Sequence, residues 1–100
     1  MGYTIAIMLP ALFAECIGTF VFVSVILMTG QALPIGVALA AVIFMIGPIS
    51  GGHVNPAVSF AMFLKKAIKV ETLVAYVIAQ AVGAALAWYW YNSVKASLKK

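Results

Sequence analysis

Glu15, Cys16, His53 and Glu71 are, with six lysines, the carboxylate, thiol, imidazole and ammonium side chains of this chain. Their numbers and spacing exclude most uses of it. A closed zinc site takes about four N, S or O ligands, and one Cys with one His does not supply them. Paired-carboxylate catalysis needs two acids together, whereas Glu15 and Glu71 fall in different apolar runs. The single Cys16 forms no intrachain disulfide and leaves the redox compartment open. No second carboxylate or imidazole stands near Glu15 or His53 in sequence, so the chain reads as neither an enzyme nor a holder of metal or cofactor. The polar residues with a definite pattern lie instead in Ser50-Gly51-Gly52-His53-Val54-Asn55-Pro56-Ala57-Val58. Asn55 is a good helix N-cap and Pro56 suits the first helical position. The chemistry of that segment is hydrogen bonding by backbone and amide groups.

The elements that must position it are set by composition. The 100 residues are 66% hydrophobic and 8% charged, with a mean hydropathy of +1.18, against about 25% charged residues in soluble domains. The solvent this implies is lipid. The net charge of +4 comes from lysines alone. A nucleic-acid face would carry Arg with interleaved aromatics, so nucleic acid is excluded as a partner and membrane lipid is expected.

Three apolar runs are long enough to approach the roughly 20 residues of a membrane span. The first covers about Leu9 to Met28, and the absence of Lys or Arg from Met1 to Met8 argues against a signal peptide. A short loop is expected over Thr29 to Pro34. The second run covers about 35–49, its apolar stretch reaching Met45 or Ile46 before Gly47-Pro48, and is marginal in length. The third covers about Val70 to Tyr91 and ends in the aromatic belt Trp88-Tyr89-Trp90-Tyr91.

Between the second and third runs, 50–64 is too apolar for an ordinary loop and too short to cross. A helix from Asn55-Pro56 to Leu64 would be about 13 Å long, roughly half the hydrocarbon thickness. It reads as a re-entrant half-helix, with an irregular lead-in from Ile49 to Val54 that must be buried in protein or line water. The expected fold is therefore all-α and integral to a membrane, multi-pass, with three transmembrane helices and one half-helix. Glu15, costing roughly 2.5 to 3.5 kcal/mol at a helix centre in lipid, should face the protein interior. Ala14 with Gly18, and Ala75, Ala79, Gly83 and Ala87, read as close-packing stripes.

Three segments resemble the aquaporin and glycerol-facilitator, or major intrinsic protein, family: AECIGTFVFV from Ala14 to Val23 its first helix, SGGHVNPAV from Ser50 to Val58 its first Asn-Pro-Ala loop, and AYVIAQAVGA from Ala75 to Ala84 its third helix. That family is built as two inverted repeats, and residues 1–100 resemble one. The resemblance implies a passive pore for water and small neutral solutes such as glycerol. Asn55, Pro56 and Ala57 would form the midplane motif, and the carbonyls of Gly51, Gly52 and His53 would be acceptors along the pore. Glu15 and Gln80 would brace the loop. The His53 ring has two readings, a fully bonded structural histidine or a pore-lining one.

One half must find another. Three spans and a re-entrant loop put Lys65, Lys66 and Lys69 on the N-terminal side and Lys95, Lys99 and Lys100 on the other. This balance gives little positive-inside signal and suits an antiparallel homodimer, four such dimers assembling by analogy with the family. The alternative is that the last lysines are a tail or linker of a longer protein. A different class of function is a non-conducting half-channel that modulates full-length relatives. Where the family's second repeat has Arg after its motif, this chain has Val58. Offsets from the Asn then assign the filter to Ile35, Ile43, Gly52 and Val58, an aliphatic ring.

Overall fold

The computed structural model describes residues 2–99, with side chains from Thr4 to Lys99; Lys100 lies outside the described residues. Four helices follow in order: α1 (Gly2–Thr29), α2 (Ala32–Ser50), α3 (Pro56–Leu64) and α4 (Val70–Leu98). Three of them contain apolar stretches long enough to cross a bilayer: Thr4–Thr29, Ala32–Ser50 and Val70–Leu98. At 1.5 Å per residue the shortest of these spans about 28 Å, whereas the nine-residue α3 reaches about 13 Å.

The helices run further than the apolar pattern suggests. Only Gly30 and Gln31 separate α1 from α2, because Gly30 takes a left-handed φ of 60° and returns its N–H to the Ile26 carbonyl at 2.9 Å. Pro34 then falls inside the first turn of α2, where its missing N–H costs nothing. Gly47-Pro48 does not end α2. Pro48 withholds a donor from the carbonyl four residues back, but the helix continues to Ser50. It is stopped by Gly51, whose φ of 92° forms a left-handed C-cap with a 2.8 Å bond to the Gly47 carbonyl. The irregular lead-in thus shortens to 51–54.

Asn55 starts α3 by accepting the Ala57 N–H on Oδ1 at 2.8 Å, with Pro56 in the first helical position. After Leu64 the chain turns through Lys66, which adopts φ 69° and bonds the Phe63 carbonyl at 2.9 Å. The α4 helix then passes the aromatic belt, where Trp90 meets Phe20 of α1 edge-on at 6.2 Å.

Packing is centred on α1, which lies against α4 and α2, while α3 rests on α4. Glycines make the closest approaches. A methyl group at Gly83 would fall against the Cys16 carbonyl oxygen and within 3.1 Å of the Phe20 nitrogen, so α4 touches the backbone of α1 there. Gly18 leaves room for Ile46 and Val42 of α2 and for Val54 of the loop. In lipid, where apolar surface itself gives no drive to associate, such contact supplies the packing energy. The outward surface stays apolar, with Phe13, Leu33, Phe44 and Met45 exposed.

Gly83→Ala is therefore expected to lower stability by about 1–3 kcal/mol in thermal unfolding of the detergent-solubilised chain. Gly36→Ala, with open space around it, should change stability by no more than about 1 kcal/mol. Equal effects at both positions would contradict close α1–α4 contact.

Candidate functional site

Glu15 stands near the middle of α1 with no exposed surface. Its Oε1 accepts the Val54 N–H at 2.8 Å and a Gln80 Nε2 hydrogen at 3.0 Å. Its Oε2 accepts the Ser50 hydroxyl at 2.7 Å and the His53 N–H at 2.9 Å. An ionised carboxylate offers about four acceptor positions and no donor, and these groups fill them. One side chain of α1 thereby ties together the end of α2, the loop before α3, and α4.

The neighbours of the carboxylate complete the arrangement. Ser50 Oγ also accepts the Gly52 N–H at 3.1 Å, and the Ser50 carbonyl receives the Tyr76 hydroxyl at 2.6 Å. Gln80 Nε2 donates a second time, to Ser59 Oγ at 3.0 Å, and Ser59 Oγ lies 2.8 Å from His53 Nδ1. The Tyr76 ring packs on the His53 ring with centroids 4.9 Å apart. Ser50, Ser59, Tyr76 and Gln80 are all buried.

This network holds a backbone that an isolated chain would avoid. Gly51, Gly52 and Val54 have φ of 92°, 66° and 46°. For a β-branched residue the left-handed region is an outlier costing on the order of 1–3 kcal/mol. Val54 stays there because its N–H is fixed to Glu15 and its buried side chain packs on Gly18. A side chain at Gly52 would be strained by the φ of 66° and crowded, since a methyl group would lie 3.2 Å from the Ile43 α-carbon.

The residues singled out by sequence distribute as follows. Glu15 and Gln80 are in direct contact with each other and, through Glu15, with the loop. His53 is buried with Nδ1 bonded, and its Nε2 side faces Gly51. Asn55, Pro56 and Ala57 are exposed at the start of α3, and the Asn55 Nδ2 donates to no partner among the described residues. Gly52 and Ile43 are brought together. Ile35 lies eight residues before Ile43 on α2, about 12 Å along its axis, so one chain does not close a ring through both. Val58 is exposed on the first turn of α3.

Sequence reasoning gave no role to Ser50, Ser59 or Tyr76. A signal existed for two of them: Ser59 is the polar residue in an otherwise apolar α3, and Tyr76 lies one turn from Gln80 on the same face of α4.

An apolar bundle of spans with a half-length helix folded back on a buried carboxylate defines an integral, multi-pass membrane protein. The family described as Major intrinsic protein matches residues 24–99, taking in α2, the loop, α3 and α4. The chain belongs to the major intrinsic protein family. It is 40% identical over 83 residues to a protein named glycerol uptake facilitator protein-like 6 from Lactiplantibacillus plantarum, covering 74% of this chain and 38% of that protein. It is 36% identical over 88 residues to aquaporin-5 of Sus scrofa, covering 76% and 33%. With the lens fiber major intrinsic protein of Ovis aries it shares 45% identity over 53 residues, covering 53% and 20%. The chain spans about a third of the length of the first two relatives.

Glu15→Gln keeps the size of the side chain but turns an NH2 group toward donors. Unfolding of the detergent-solubilised variant should show a loss on the order of 3 kcal/mol, larger than that of Gln80→Leu, which removes the bonds to Glu15 and Ser59 but leaves the carboxylate its other three donors. An unchanged melting temperature for Glu15→Gln would contradict the carboxylate's role in holding the loop.

Proposed function

We propose that this chain is a channel subunit that supplies half the wall of a passive pathway for water and small neutral solutes such as glycerol, and that an inverted copy or a complementary half completes it. The observation that carries this reading is the half-length α3, capped by an exposed Asn55 whose amide donor has no partner among the described residues, in a chain of this family. The relatives' names, a glycerol uptake facilitator-like protein and an aquaporin, support the choice of permeants. The lysines of the α3–α4 turn and the end of α4 support an inverted pair, since neither end commands the cytoplasmic side.

In this reading the Asn55 amide donates to a permeant oxygen, and Pro56 and Ala57 open a helix whose N-terminus carries roughly half a positive charge. Two such termini facing each other form a barrier to cations and protons. The carbonyls of Gly51, Gly52 and His53 provide acceptors, and Glu15 with Gln80 braces the segment. Each mouth combines Ile35 of one copy with Ile43, Gly52 and Val58 of the other. Lacking a guanidinium, these mouths admit neutral solutes more readily than they promote water flux.

Osmotic swelling of liposomes holding the purified chain, with a C-terminal tag probed from outside, tests this directly. The expected result is neutral-solute permeability with modest water flux and tags on both faces. Tags on a single face exclude the self-paired pore, and no swelling as well would favour a half-channel that associates with full-length relatives. Asn55→Asp should assemble but leak cations or protons; preserved cation exclusion would argue against Asn55. Val58→Arg should cut solute passage more than water passage, and equal losses would sink the filter assignment.

A further inference from the structure

The network around Glu15 has a direction that reaches beyond bracing. Glu15 Oε1 accepts from the Val54 N–H and from Gln80. A carboxylate faces only donors there, so the Gln80 group against it is its NH2 and its carbonyl oxygen points away. The second Nε2 hydrogen goes to Ser59 Oγ at 3.0 Å. Ser59 is fully buried and its hydroxyl has one proton to place. Within hydrogen-bond reach among the described residues, the group left to take that proton is His53 Nδ1 at 2.8 Å. If Nδ1 carried a hydrogen instead, Ser59 would accept from both sides and its own proton would be orphaned in the interior. Donor accounting therefore leaves Nδ1 as an acceptor and puts the ring hydrogen on Nε2.

The Nε2 edge is the open one. It has no hydrogen-bond partner among the described residues and is not among the enclosed unpartnered atoms. It lies beside the exposed Gly51, where a methyl group would come within 3.2 Å of it. Tyr76 packs on the ring and holds its plane. We propose that Ser59, faced by the Gln80 NH2 that Glu15 orients and so left no other acceptor for its proton, acts as a positioning residue that fixes His53 as the Nε2–H tautomer, so that the loop presents a hydrogen-bond donor beside Gly51 to an oxygen of the passing water or neutral solute. The identity of that acceptor rests on the channel reading; the polarity of the ring does not.

His53 is the one histidine of the chain, so 15N-histidine labelling gives a single pair of ring signals. Solid-state NMR of the protein in liposomes at mildly alkaline pH, where a histidine is neutral, reads the tautomer. The expected result is Nε2–H over Nδ1–H by about fivefold or more, the ratio set by the low end of the cost of an orphaned buried donor. The Nε2–H should also exchange magnetisation with water. Ser59→Thr should keep the ratio. In Gln80→Leu the Ser59 proton still has no other acceptor among the described residues, so the ratio should hold; Ser59→Ala should lose the bias. A predominantly Nδ1–H ring, an Nδ1–H form appearing in Gln80→Leu, a ratio unmoved in Ser59→Ala, or an Nε2–H without water contact overturns the proposal. Fixed tautomer and water contact in liposomes that do not swell would refute the channel reading and support the positioning.

Discussion

A carboxylate buried in an apolar bundle is tolerable only where donors surround it, and Glu15 organises this chain because it has gathered them. The uncompensated group would cost several kcal/mol. Its acceptor positions are taken by the Ser50 hydroxyl, the His53 and Val54 amides and Gln80. The same requirement explains the loop from the other side. Backbone groups at membrane depth have no water to turn to unless they line it, and Glu15 supplies the acceptors for two of them. Stability and loop geometry thus have a common source, and a change at Glu15 acts on both.

Tight helix packing is a condition of that arrangement. Glu15 reaches Gln80 only because Gly83 lets α4 settle on the backbone of α1, and it reaches the loop only because Gly18 makes room for Val54. The left-handed Val54 is held by what surrounds it. Asn55, immediately after it, is exposed at the start of α3 with an amide donor that has no partner among the described residues, so a polar group is displayed outward while its supporting network stays inside.

Much of this was legible in the residues. An acid inside an apolar run has to face protein, Asn-Pro announces a helix start, and a nine-residue helix is too short to cross; Glu15, Asn55 and Pro56 were legible on those grounds. The end of α2 was not. Gly47-Pro48 reads as a stop, yet proline near the last turn forfeits only one helical bond, and the true stop is Gly51 in a left-handed cap. Ser59 and Tyr76 escaped notice because a hydroxyl in an apolar helix has no meaning until its neighbour across the interface is known. Their partners, Gln80 with His53 and the Ser50 carbonyl, lie between 6 and 26 residues away. Family membership fixes the architecture to which the chain belongs, and the chain spans about a third of its first two relatives' length.

The central claim is that Glu15 holds the loop amides. Site-resolved amide hydrogen exchange of the liposome-reconstituted chain tests it most directly. The account predicts that the His53 and Val54 amides, though outside any helix, exchange as slowly as those of the neighbouring helices and orders of magnitude more slowly than the exposed turn at Lys65–Lys69, and that both become fast in Glu15→Gln. His53 and Val54 amides exchanging as fast as that turn in the unmodified protein would contradict it.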